Sequence, residues 1–389
     1  MRLYYLSNSF IPSRQANSIQ VMKMCQAFAR FAQHVALFCR KAESDEEGDS
    51  QIYRYYGVAE SFELIRLDIP PVRVIRRLLY AFAVIRRLRR DPNSFLLFGR
   101  DYYVLGLISI FRLVNRPMGL EIHQPPTDRL QHFLQRRIFS NPNFKRLVVI
   151  SQALADEYLR LYGKLLEGKI TVAHDGADTH QIPAEMLSNP AYHQRGAAFR
   201  LGYIGSLYPG KGMELIAQLA PLAPDCEFHV VGGRPEDIAR WQEACPSGNL
   251  VFHGFVQPER VYEFMAEFDV LLAPYQPNVL VGDRKVDIAR WMSPLKLFEY
   301  MAGGKPIIAT DLPVLREVVA HRENALLARA ETPEEWVRCI RELQGDELLR
   351  RRLGTQAQRD FFSHYTWEKR AELILQSMTQ RKPVREKVV

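Results

Sequence analysis

The sequence predicts an α/β protein with two tandem domains of similar size, each built from a parallel β-sheet covered by helices. Its 389 residues, of which 47% are hydrophobic and 25% charged, are too many for one typical globular core. Short apolar runs rich in β-branched residues alternate with stretches of helical spacing, which is typical of parallel sheets. A polar stretch containing Pro183 and Pro190 interrupts this alternation, and the alternation begins again at Phe199.

Composition restricts the compartment and the class of partner. The chain has no run of about 18 apolar residues, and its first six residues lack the blocks of a signal peptide. We therefore expect a cytoplasmic protein, either soluble or peripheral on the inner face of the membrane. The five cysteines are scattered without metal-ligand spacing, so neither a disulfide framework nor a zinc site is expected. The formal net charge of +8 favours an anionic partner: a nucleotide, a polyanion, nucleic acid or an acidic lipid surface.

The first domain opens with a predicted strand over residues 3–7, a helix over 19–31 and a second strand over 34–39. The turn after the first strand is long and lacks a GxGxxG pattern, which disfavours a dinucleotide site there. Apolar runs predict further strands at 95–98, 118–123, 146–150 and 169–173. The carboxyl ends of such strands share one edge of the sheet, where ligands bind in folds of this class.

Residues 72–90 form the most basic segment of the chain. Its arginines are set among apolar residues at helical spacing and it contains no acid, which predicts an amphipathic helix. Two interpretations stay open: the helix lies on an acidic membrane surface, or it packs on the core with a solvated arginine face. The basic residues are not interleaved with aromatics in an RNA-binding signature, so nucleic acid is not favoured as a partner.

The second domain repeats the alternation of the first. Apolar runs predict strands at 199–205, 227–231, 250–255, 270–273, 307–310 and 325–328, and residues 334–378 have an almost wholly helical pattern. We therefore predict a first domain over 1–180, a linker over 181–198, a second domain over 199–362 and a C-terminal helix over 363–389 that can pack back on the first domain.

Residues 293–306 carry the strongest local signal. Ser293 is a good N-cap, Pro294 suits the first turn, and Gly303 and Gly304 end what reads as a short helix. The start of this helix offers N–H groups and a positive dipole end to an anion, and Lys296 adds a full charge. Glu299 lies three residues later, so its carboxylate can accept the two hydroxyls of a ribose; alternatively, it forms an ordinary exposed pair with Lys296.

Three motifs in fixed order resemble those of a known family. They are Gly205-Ser206-Leu207-Tyr208-Pro209-Gly210-Lys211-Gly212, then Val230-Val231-Gly232-Gly233 followed by Phe252-His253-Gly254-Phe255-Val256, then the stretch from Pro294 to Pro306. In these the chain resembles the retaining glycosyltransferases of the GT-B fold, family four, also called glycosyl transferases group 1. The resemblance implies two Rossmann-like domains that face a cleft, with a helical C-terminal tail.

The resemblance also implies an activity: transfer of a sugar from a nucleotide diphosphate sugar to a glycan or lipid-linked acceptor, with retention. It assigns the donor diphosphate to Lys211, Lys296, Ser293, Leu295, Gly205 and Ser206, the ribose to Glu299, and the nucleotide base to the region of Gly233, Arg234, Phe255 and Val256. No cofactor and no metal are expected, because the lysines and the helix end supply positive charge and no DxD-type pair is evident. Taken alone, Lys211 is better explained as an ordinary solvated lysine, and Arg234 is equally consistent with a surface position.

In the first domain, His123 ends the strand at 118–123, at the edge where ligands bind. The family has a histidine here that contacts the donor sugar, so His123 is the predicted catalytic residue; a structural histidine is the alternative. Arg100 and Asp101 follow another strand, where they position sugar or acceptor or form a structural pair. Asn17 stands where the family often has a glycine pair, and its loop is predicted to approach acceptor or phosphate.

Two positions depart from the family pattern. Trp291 stands where the first glutamate of the Glu-x7-Glu motif is expected, which leaves the donor sugar open, and Asp283 or Asp287 is the predicted substitute. Ser206 stands where many relatives have arginine. Two other functions therefore remain: a GT-B-fold epimerase or phosphorylase, or a non-catalytic nucleotide-sugar-binding partner subunit.

Overall fold

A computed structural model describes most of the chain: residues 1–13, 15–42, 48–69, 75–179, 182, 198–257, 260–281 and 284–379, with the backbone alone for 280, 281 and 284–286. The chain divides into two compact units. The first unit contains residues 1–150 and 154–173 and the chain from Trp367 onward, and the second contains 151–153 and 174–366. Most of the predicted linker, 181–198, lies outside the described residues.

The first unit is a parallel sheet with strand order β3-β2-β1-β4-β5-β6-β7. Its central strands are almost wholly buried because they are apolar on both faces. The strands of the sheet are β1 (Arg2–Ile11), β2 (His34–Lys41), β3 (Glu63–Leu67), β4 (Phe95–Gly99), β5 (Met118–Ile122), β6 (Phe144–Val149) and β7 (Ile170–Val172). The sequence predicted six of these; it did not predict β3, whose residues are a mixture of charged and apolar types without an apolar run.

Helices cover this sheet, and the basic segment is one of them. They are α1 (Ala16–Ala29), α2 (Asp49–Tyr55), α3 (Arg76–Arg90), α4 (Tyr102–Phe111), α5 (Arg129–Phe139) and α6 (Gln152–Tyr162). The basic helix α3 begins at Arg76, and residues 72–74 of the predicted segment lie outside the described residues. Tyr80, Val84 and Leu88 of α3 are buried, so one face of the helix packs on the unit.

The second unit is a parallel sheet with strand order β10-β9-β8-β11-β14-β15, beside a short antiparallel hairpin that the sequence did not predict. The sheet strands are β8 (Phe199–Ile204), β9 (Cys226–Val231), β10 (Leu250–Gly254), β11 (Val270–Ala273), β14 (Ile307–Thr310) and β15 (Leu326–Ala328), and the hairpin is β12 (Leu280–Val281) with β13 (Arg284–Asp287). The strand order confirms the predicted fold class of two parallel sheets with flanking helices.

The helices of the second unit include the predicted short helix after Pro294. They are α7 (Met213–Leu222), α8 (Pro235–Ala244), α9 (Val261–Ala266), α10 (Leu295–Ala302), α11 (Pro333–Gly345) and α12 (Glu347–His364). Helix α10 buries Leu297, Phe298 and Met301 in the core, and Gly304 follows it with a φ of 68°. A left-handed residue at this point is what stops a helix, so the predicted role of the glycine pair is confirmed.

The last described helix, α13 (Trp367–Thr379), belongs to the first unit although it follows the second unit in the sequence. It begins four residues later than the predicted start at 363, because α12 continues to His364. Helix α13 packs against α1, and a Cβ on Gly119 of β5 would lie 2.7 Å from Met378 Cε. In the described part of the chain no helix is both long and apolar enough to cross a membrane.

Candidate functional site

Three glycines bring the carboxyl ends of β8, β9 and β10 together in the second unit. The N–H of Gly205 donates to the carbonyl of Val231 at 2.9 Å, and the N–H of Gly232 donates to the carbonyl of Gly254 at 2.6 Å. Gly232 has a φ of 111°, and a Cβ on it would lie 2.3 Å from the Gly205 carbonyl oxygen. A side chain cannot fit there, so main chain forms the surface of this sheet edge.

The loop from Gly205 to Gly212 also depends on glycine. Gly210 has a φ of 81°, and a Cβ on it would lie 2.0 Å from the carbonyl oxygen of Asn278. A Cβ on Gly212 would lie 2.5 Å from the carbonyl oxygen of Pro274. These glycines allow the loop to pack closely against the segment after β11. Lys211 is thereby held directly before α7.

Lys296 lies in the first turn of α10, with its ammonium group at the same sheet edge. Its Nζ is buried and has no hydrogen-bond partner among the described residues. The Nζ lies 3.8 Å from the ring centroid of Tyr203 and 4.7 Å from that of Tyr275. A Cβ added to Gly205 would lie 3.3 Å from it, so Lys296 borders the loop after β8. The Nζ of Lys211 is 5.6 Å from the Tyr275 ring centroid, which places both lysines around one ring.

These surroundings disfavour the charge on both lysines. Burial, followed by the nearby charge of Lys211, lowers the pKa of Lys296 well below that of an ordinary lysine, and Glu299 opposes this shift. Burial also lowers the pKa of Lys211. An anion placed between the two ammonium groups would reverse both effects, because an opposite charge favours the protonated amine. The predicted phosphate cations therefore share one partly desolvated site.

Ser293 does not cap α10 as predicted. The helix begins at Leu295 with Pro294 at the N-cap position, where no side chain bonds the helix start. The hydroxyl of Ser293 instead accepts the N–H of Asp175 at 2.8 Å. A tertiary hydrogen bond thus replaces the local cap that the sequence favoured, since a serine hydroxyl satisfies whichever buried N–H is within its reach.

Glu299 lies one turn after Lys296 and is surrounded by tyrosines. Burial raises the pKa of Tyr262 and Tyr275 well above the ordinary value, and the charge of Glu299 adds to both shifts. The neighbouring Tyr300 hydroxyl accepts the N–H of Ile204 at 2.8 Å, which ties α10 to β8. Because Lys296 Nζ is buried, the alternative of an ordinary exposed Lys296–Glu299 pair does not describe this helix.

The residues predicted near the nucleotide base differ in their surroundings. Phe255 follows β10 with 73% of its surface exposed, whereas Val256 packs partly against the core. Gly233 has a φ of 88°, and a Cβ on it would lie 2.6 Å from Leu207 Cδ1. An exposed aromatic ring at a strand end is suited to stacking on a planar base.

Arg234 follows Gly233, and its guanidinium group is engaged by acids of α8. It donates to Asp237 at 2.9 Å and lies 3.4 Å from Glu236. It is also 5.7 Å from the ring centroid of Tyr208. Arg234 therefore has the ordinary surface position that the sequence analysis gave as the alternative to phosphate binding.

The remaining predicted residues of the second unit have local roles or are exposed. Ser206 is exposed, and its carbonyl accepts the hydroxyl of Tyr203 at 2.7 Å. Asp287 accepts the N–H groups of Val279 and Ala289 at 2.8 and 2.9 Å, so it organises the loop around the hairpin. Asp283 lies outside the described residues. The indole of Trp291 lies 4.5 Å from the guanidinium carbon of Arg290.

In the first unit, His123 follows β5 and contacts a glutamate that the sequence analysis did not single out. His123 Nε2 lies 2.7 Å from Glu121 Oε1, and Glu121 is only 1% exposed. The same oxygen accepts from Gln20 Nε2 and from the guanidinium of Arg370, each at 3.0 Å. Glu121 could have been singled out from the sequence, because it is a charged residue inside the apolar strand that precedes His123. No local pattern points to Arg370.

Arg100 joins this cluster, and its neighbour does not. Arg100 donates to Gln20 Oε1 at 2.5 Å. Asp101 caps α4 by accepting the N–H groups of Tyr103 and Val104 at 2.9 and 3.1 Å, and burial raises its pKa. The structural Arg100–Asp101 pair that the sequence left open is therefore replaced by two separate roles. Asn17 donates to the hydroxyl of Ser9 at 3.2 Å, next to the start of α1.

Comparisons with known proteins identify the family of the chain. The family model of the glycosyl transferases group 1 matches residues 198–346. An uncharacterised glycosyltransferase of Methanocaldococcus jannaschii, MJ1178, is 39% identical over 328 residues, which cover 82% of this chain and 85% of that protein. The putative teichuronic acid biosynthesis glycosyltransferase TuaH of Bacillus subtilis is 31% identical over 115 residues, 29% of this chain and 27% of that protein.

Solved structures show the same fold. HepE from Anabaena, in complex with UDP, superposes with a TM-score of 0.71 at 14% identity, over 97% of this chain and 99% of that one. Sucrose-phosphate synthase from Thermosynechococcus elongatus superposes with a TM-score of 0.70 at 17% identity, over 96% of this chain and 97% of that one. The chain therefore belongs to the glycosyl transferases group 1 and has the GT-B fold.

Proposed function

We propose that this chain transfers a hexosyl group from a nucleotide diphosphate sugar to a glycan or lipid-linked acceptor, with retention, in polysaccharide or glycoconjugate biosynthesis. One observation carries the proposal: within the described part of the chain, Lys296 Nζ is buried without a hydrogen-bond partner beside Gly205, with Lys211 close by. A buried amine of this kind is unfavourable unless a ligand completes its surroundings. The diphosphate of a sugar donor carries the opposite charge and is the leaving group of the reaction.

The second unit supplies the donor site in this proposal. Lys211, Lys296 and the main chain at Gly205, Ser206, Ser293 and Leu295 stabilise the negative charge that develops on the departing diphosphate. Glu299 accepts the ribose hydroxyls, and Phe255 stacks on the base beside Gly233 and Val256. No metal is needed in this scheme, since the two ammonium groups and the start of α10 provide the positive charge.

The first unit supplies His123 as the candidate catalytic residue. Its imidazole orients the donor sugar or stabilises positive character at the reacting carbon, and Arg100 contributes to the binding of sugar or acceptor. Asp101, Asn17 and Asp287 hold local structure, which is a weaker basis for a direct role in binding. Retention follows from the family resemblance, and NMR of the anomeric proton in donor and product tests it.

The names of relatives and solved structures suggest which donors and acceptors to assay first. HepE was crystallised with UDP and with UDP-glucose. One relative, 30% identical over 146 residues, is a phosphatidyl-myo-inositol mannosyltransferase, and WaaG, at 14% identity, acts in lipopolysaccharide biosynthesis. UDP-hexoses and lipid-linked acceptors are therefore the first candidates. Trp291 makes the choice of hexose a separate question, because it stands where the family resemblance implies a glutamate.

A thermal-shift panel of nucleoside diphosphates and their sugars tests the donor site, because a ligand that binds the native state raises its apparent stability. We expect a uridine ligand to raise the melting temperature of the wild type and to leave that of Lys296→Met unchanged. Lys145→Met, at an exposed lysine of the first unit, is the matched control. If Glu299→Ala kept full nucleotide binding and activity, the assignment of the ribose site would be wrong.

Assays of product separate the proposed transfer from the two rival functions. A transferase releases free nucleoside diphosphate only when an acceptor is present. An epimerase would convert the donor sugar without an acceptor, and a phosphorylase would need inorganic phosphate and a glycan. A partner subunit would bind the nucleotide but show no turnover with any acceptor of the panel.

We also propose that one face of the first unit docks on an anionic membrane. Leu78 and Phe82 of α3 and Phe111 of α4 are 52%, 68% and 63% exposed, and they line a groove together with Arg86, Arg89 and Arg90. Apolar side chains beside cations suit the interface of an acidic bilayer. The core-packed alternative accounts for the buried face of α3 and leaves these exposed apolar groups unexplained.

Vesicle sedimentation tests this membrane proposal. The protein should pellet with vesicles that contain phosphatidylglycerol and not with neutral ones, and added salt should weaken the binding. Phe82→Ser should reduce the binding, whereas Leu348→Ser, at an exposed leucine of the second unit, should not. Failure to bind anionic vesicles at low salt would exclude the proposal.

A further inference from the structure

Four side chains converge on the carboxylate of Glu121 in the first unit. Oε1 lies 2.7 Å from His123 Nε2 and accepts from Gln20 and Arg370 at 3.0 Å each. Oε2 accepts the hydroxyl of Tyr5 at 3.2 Å. Glu121 and Arg370 are 1% and 2% exposed, so this is a buried network next to a partly exposed histidine.

Arg370 comes from α13, 249 residues further along the chain than Glu121. Burial alone would raise the pKa of Glu121. Arg370, the hydrogen bond with His123, and the charges of His123 and Arg100 outweigh burial and hold that pKa well below the ordinary value. Burial raises the pKa of Tyr5 and of Cys25 well above their ordinary values, so these two neighbours are neutral. Glu121 is therefore a carboxylate that only accepts hydrogen bonds.

An acceptor at Nε2 determines which nitrogen of His123 carries the hydrogen. A neutral imidazole that contacts an ionised carboxylate through Nε2 must donate from Nε2–H, and Nδ1 is then the acceptor nitrogen. If Glu121 were protonated, its O–H would donate to Nε2 and the hydrogen would move to Nδ1. The ionisation of Glu121 thus decides which nitrogen the ring offers to a partner.

We propose that Arg370 and Glu121 are positioning residues for His123. Arg370 keeps Glu121 ionised, and Glu121 holds the imidazole in one orientation with its hydrogen on Nε2. The C-terminal helix thereby takes part in preparing the candidate catalytic residue. The activity arm of the test rests on the proposed function, whereas the state of the ring is measured without any substrate.

The ring is observed by nitrogen-15 NMR of the full-length protein labelled at histidine, with the His123 signals assigned by their loss in His123→Gln. At a pH where the imidazole is neutral, the wild type should show the tautomer with the hydrogen on Nε2. Arg370→Met should shift His123 toward a mixture of tautomers, and Arg370→Lys should restore most of the wild-type pattern because it keeps the charge. Glu121→Gln with Arg370→Met removes both buried charges, so this double variant gives a reading even if Arg370→Met fails to fold.

Control variants and kinetics complete the test. Arg30 and Glu368 form an exposed ion pair, 3.4 Å long, between α1 and α13. Arg30→Gln with Glu368→Gln loosens the same helix without touching Glu121, and should leave the His123 spectrum unchanged. For the hexosyl transfer, Arg370→Met should lower kcat by about 10- to 100-fold, with little change in the KM for donor.

The outcomes separate this proposal from the proposed function. If the double variant and Arg370→Met keep the wild-type tautomer, the positioning role is overturned even if the protein transfers sugar. If the tautomer changes as expected but no transfer is found with any acceptor, the positioning role stands and the proposed function fails.

Discussion

At the scale of single residues, Lys296 is proposed to bind the donor diphosphate, and its surroundings in the absence of ligand cost stability. Its ammonium group is buried between tyrosine rings and has Lys211 as a neighbour, and its pKa is lowered accordingly. An amine whose pKa is lower in the folded state binds fewer protons there than in the unfolded chain, so the free energy of unfolding rises with pH. Without ligand, Lys296→Met should therefore raise the melting temperature, while diphosphate binding should weaken by about 1.5–3 kcal/mol.

The same shift predicts proton uptake on donor binding. A bound diphosphate favours the protonated amine and raises the pKa of Lys296, so at a pH above the lowered value the complex takes up protons. Calorimetric titration with UDP in two buffers of different ionisation enthalpy measures the number of protons taken up on binding. We expect uptake in the wild type and less in Lys296→Met, with affinity that falls as the pH rises. Equal uptake in both proteins would mean that Lys296 is not the group that titrates.

Glu121 is the opposite case, a buried charge that stabilises the fold. Glu121→Gln would leave Arg370 buried without its carboxylate, which we expect to reduce the free energy of unfolding by about 3–5 kcal/mol at pH 7. Adding Arg370→Met should recover most of that loss, since replacing both members of a buried ion pair is often close to neutral. Denaturant unfolding of the wild type and the two variants measures both effects.

The sign of the pH dependence follows from the lowered pKa of Glu121. The contribution of this carboxylate is fully present above the ordinary glutamate pKa of about 4.3, and is lost as the pH falls through the lower folded value. The gap between wild type and Glu121→Gln should therefore narrow below about pH 4.3. A gap that stays constant down to the lower folded value would contradict the assignment.

At the scale of single elements, strands were predicted better than the contacts that hold the site. β11 and β14 have the predicted bounds, because a run of apolar residues can be recognised from the local sequence alone. β3 was missed because Glu63–Leu67 mixes charged and apolar residues, and the cap of α10 was wrong because a distant N–H occupies Ser293. Local patterns carry secondary structure, whereas hydrogen bonds between distant segments depend on the fold.

The loop from Gly205 to Gly212 gives a prediction at the same scale. Gly210→Ala would place a Cβ 2.0 Å from the carbonyl of Asn278 at a positive φ, which we expect to destabilise the second unit by about 1–3 kcal/mol and to weaken diphosphate binding. Gly248→Ala is the matched control, because a Cβ there meets nothing within 4 Å. Melting temperatures with and without UDP measure both effects. Equal behaviour of the two variants would show that close packing of this loop is not needed.

At the scale of the whole molecule, sequence order and spatial grouping differ at α13. The two rounds of strand and helix predicted two α/β domains, since each round repeats the same local signals. Arg370 was not predictable as a partner of Glu121, because contact across 249 residues leaves no local periodicity. The candidate donor site could be predicted because its three motifs lie near one another in the sequence. The contacts of the histidine cluster could be recognised only once the fold was known.

The two-unit organisation predicts which elements a substitution in α13 destabilises. Because α13 belongs to the first unit, Arg370→Met should increase hydrogen–deuterium exchange in peptides of β5, α1 and α13. Peptides of β8, β9 and β11 should keep wild-type protection, although the second unit is nearer to Arg370 in the sequence. Addition of UDP should give the complementary pattern, with slower exchange around Lys211 and in α10. If Arg370→Met instead loosened β8 and β9 as much as β5, the two units would unfold as one, and α13 would stabilise the whole chain rather than the histidine cluster.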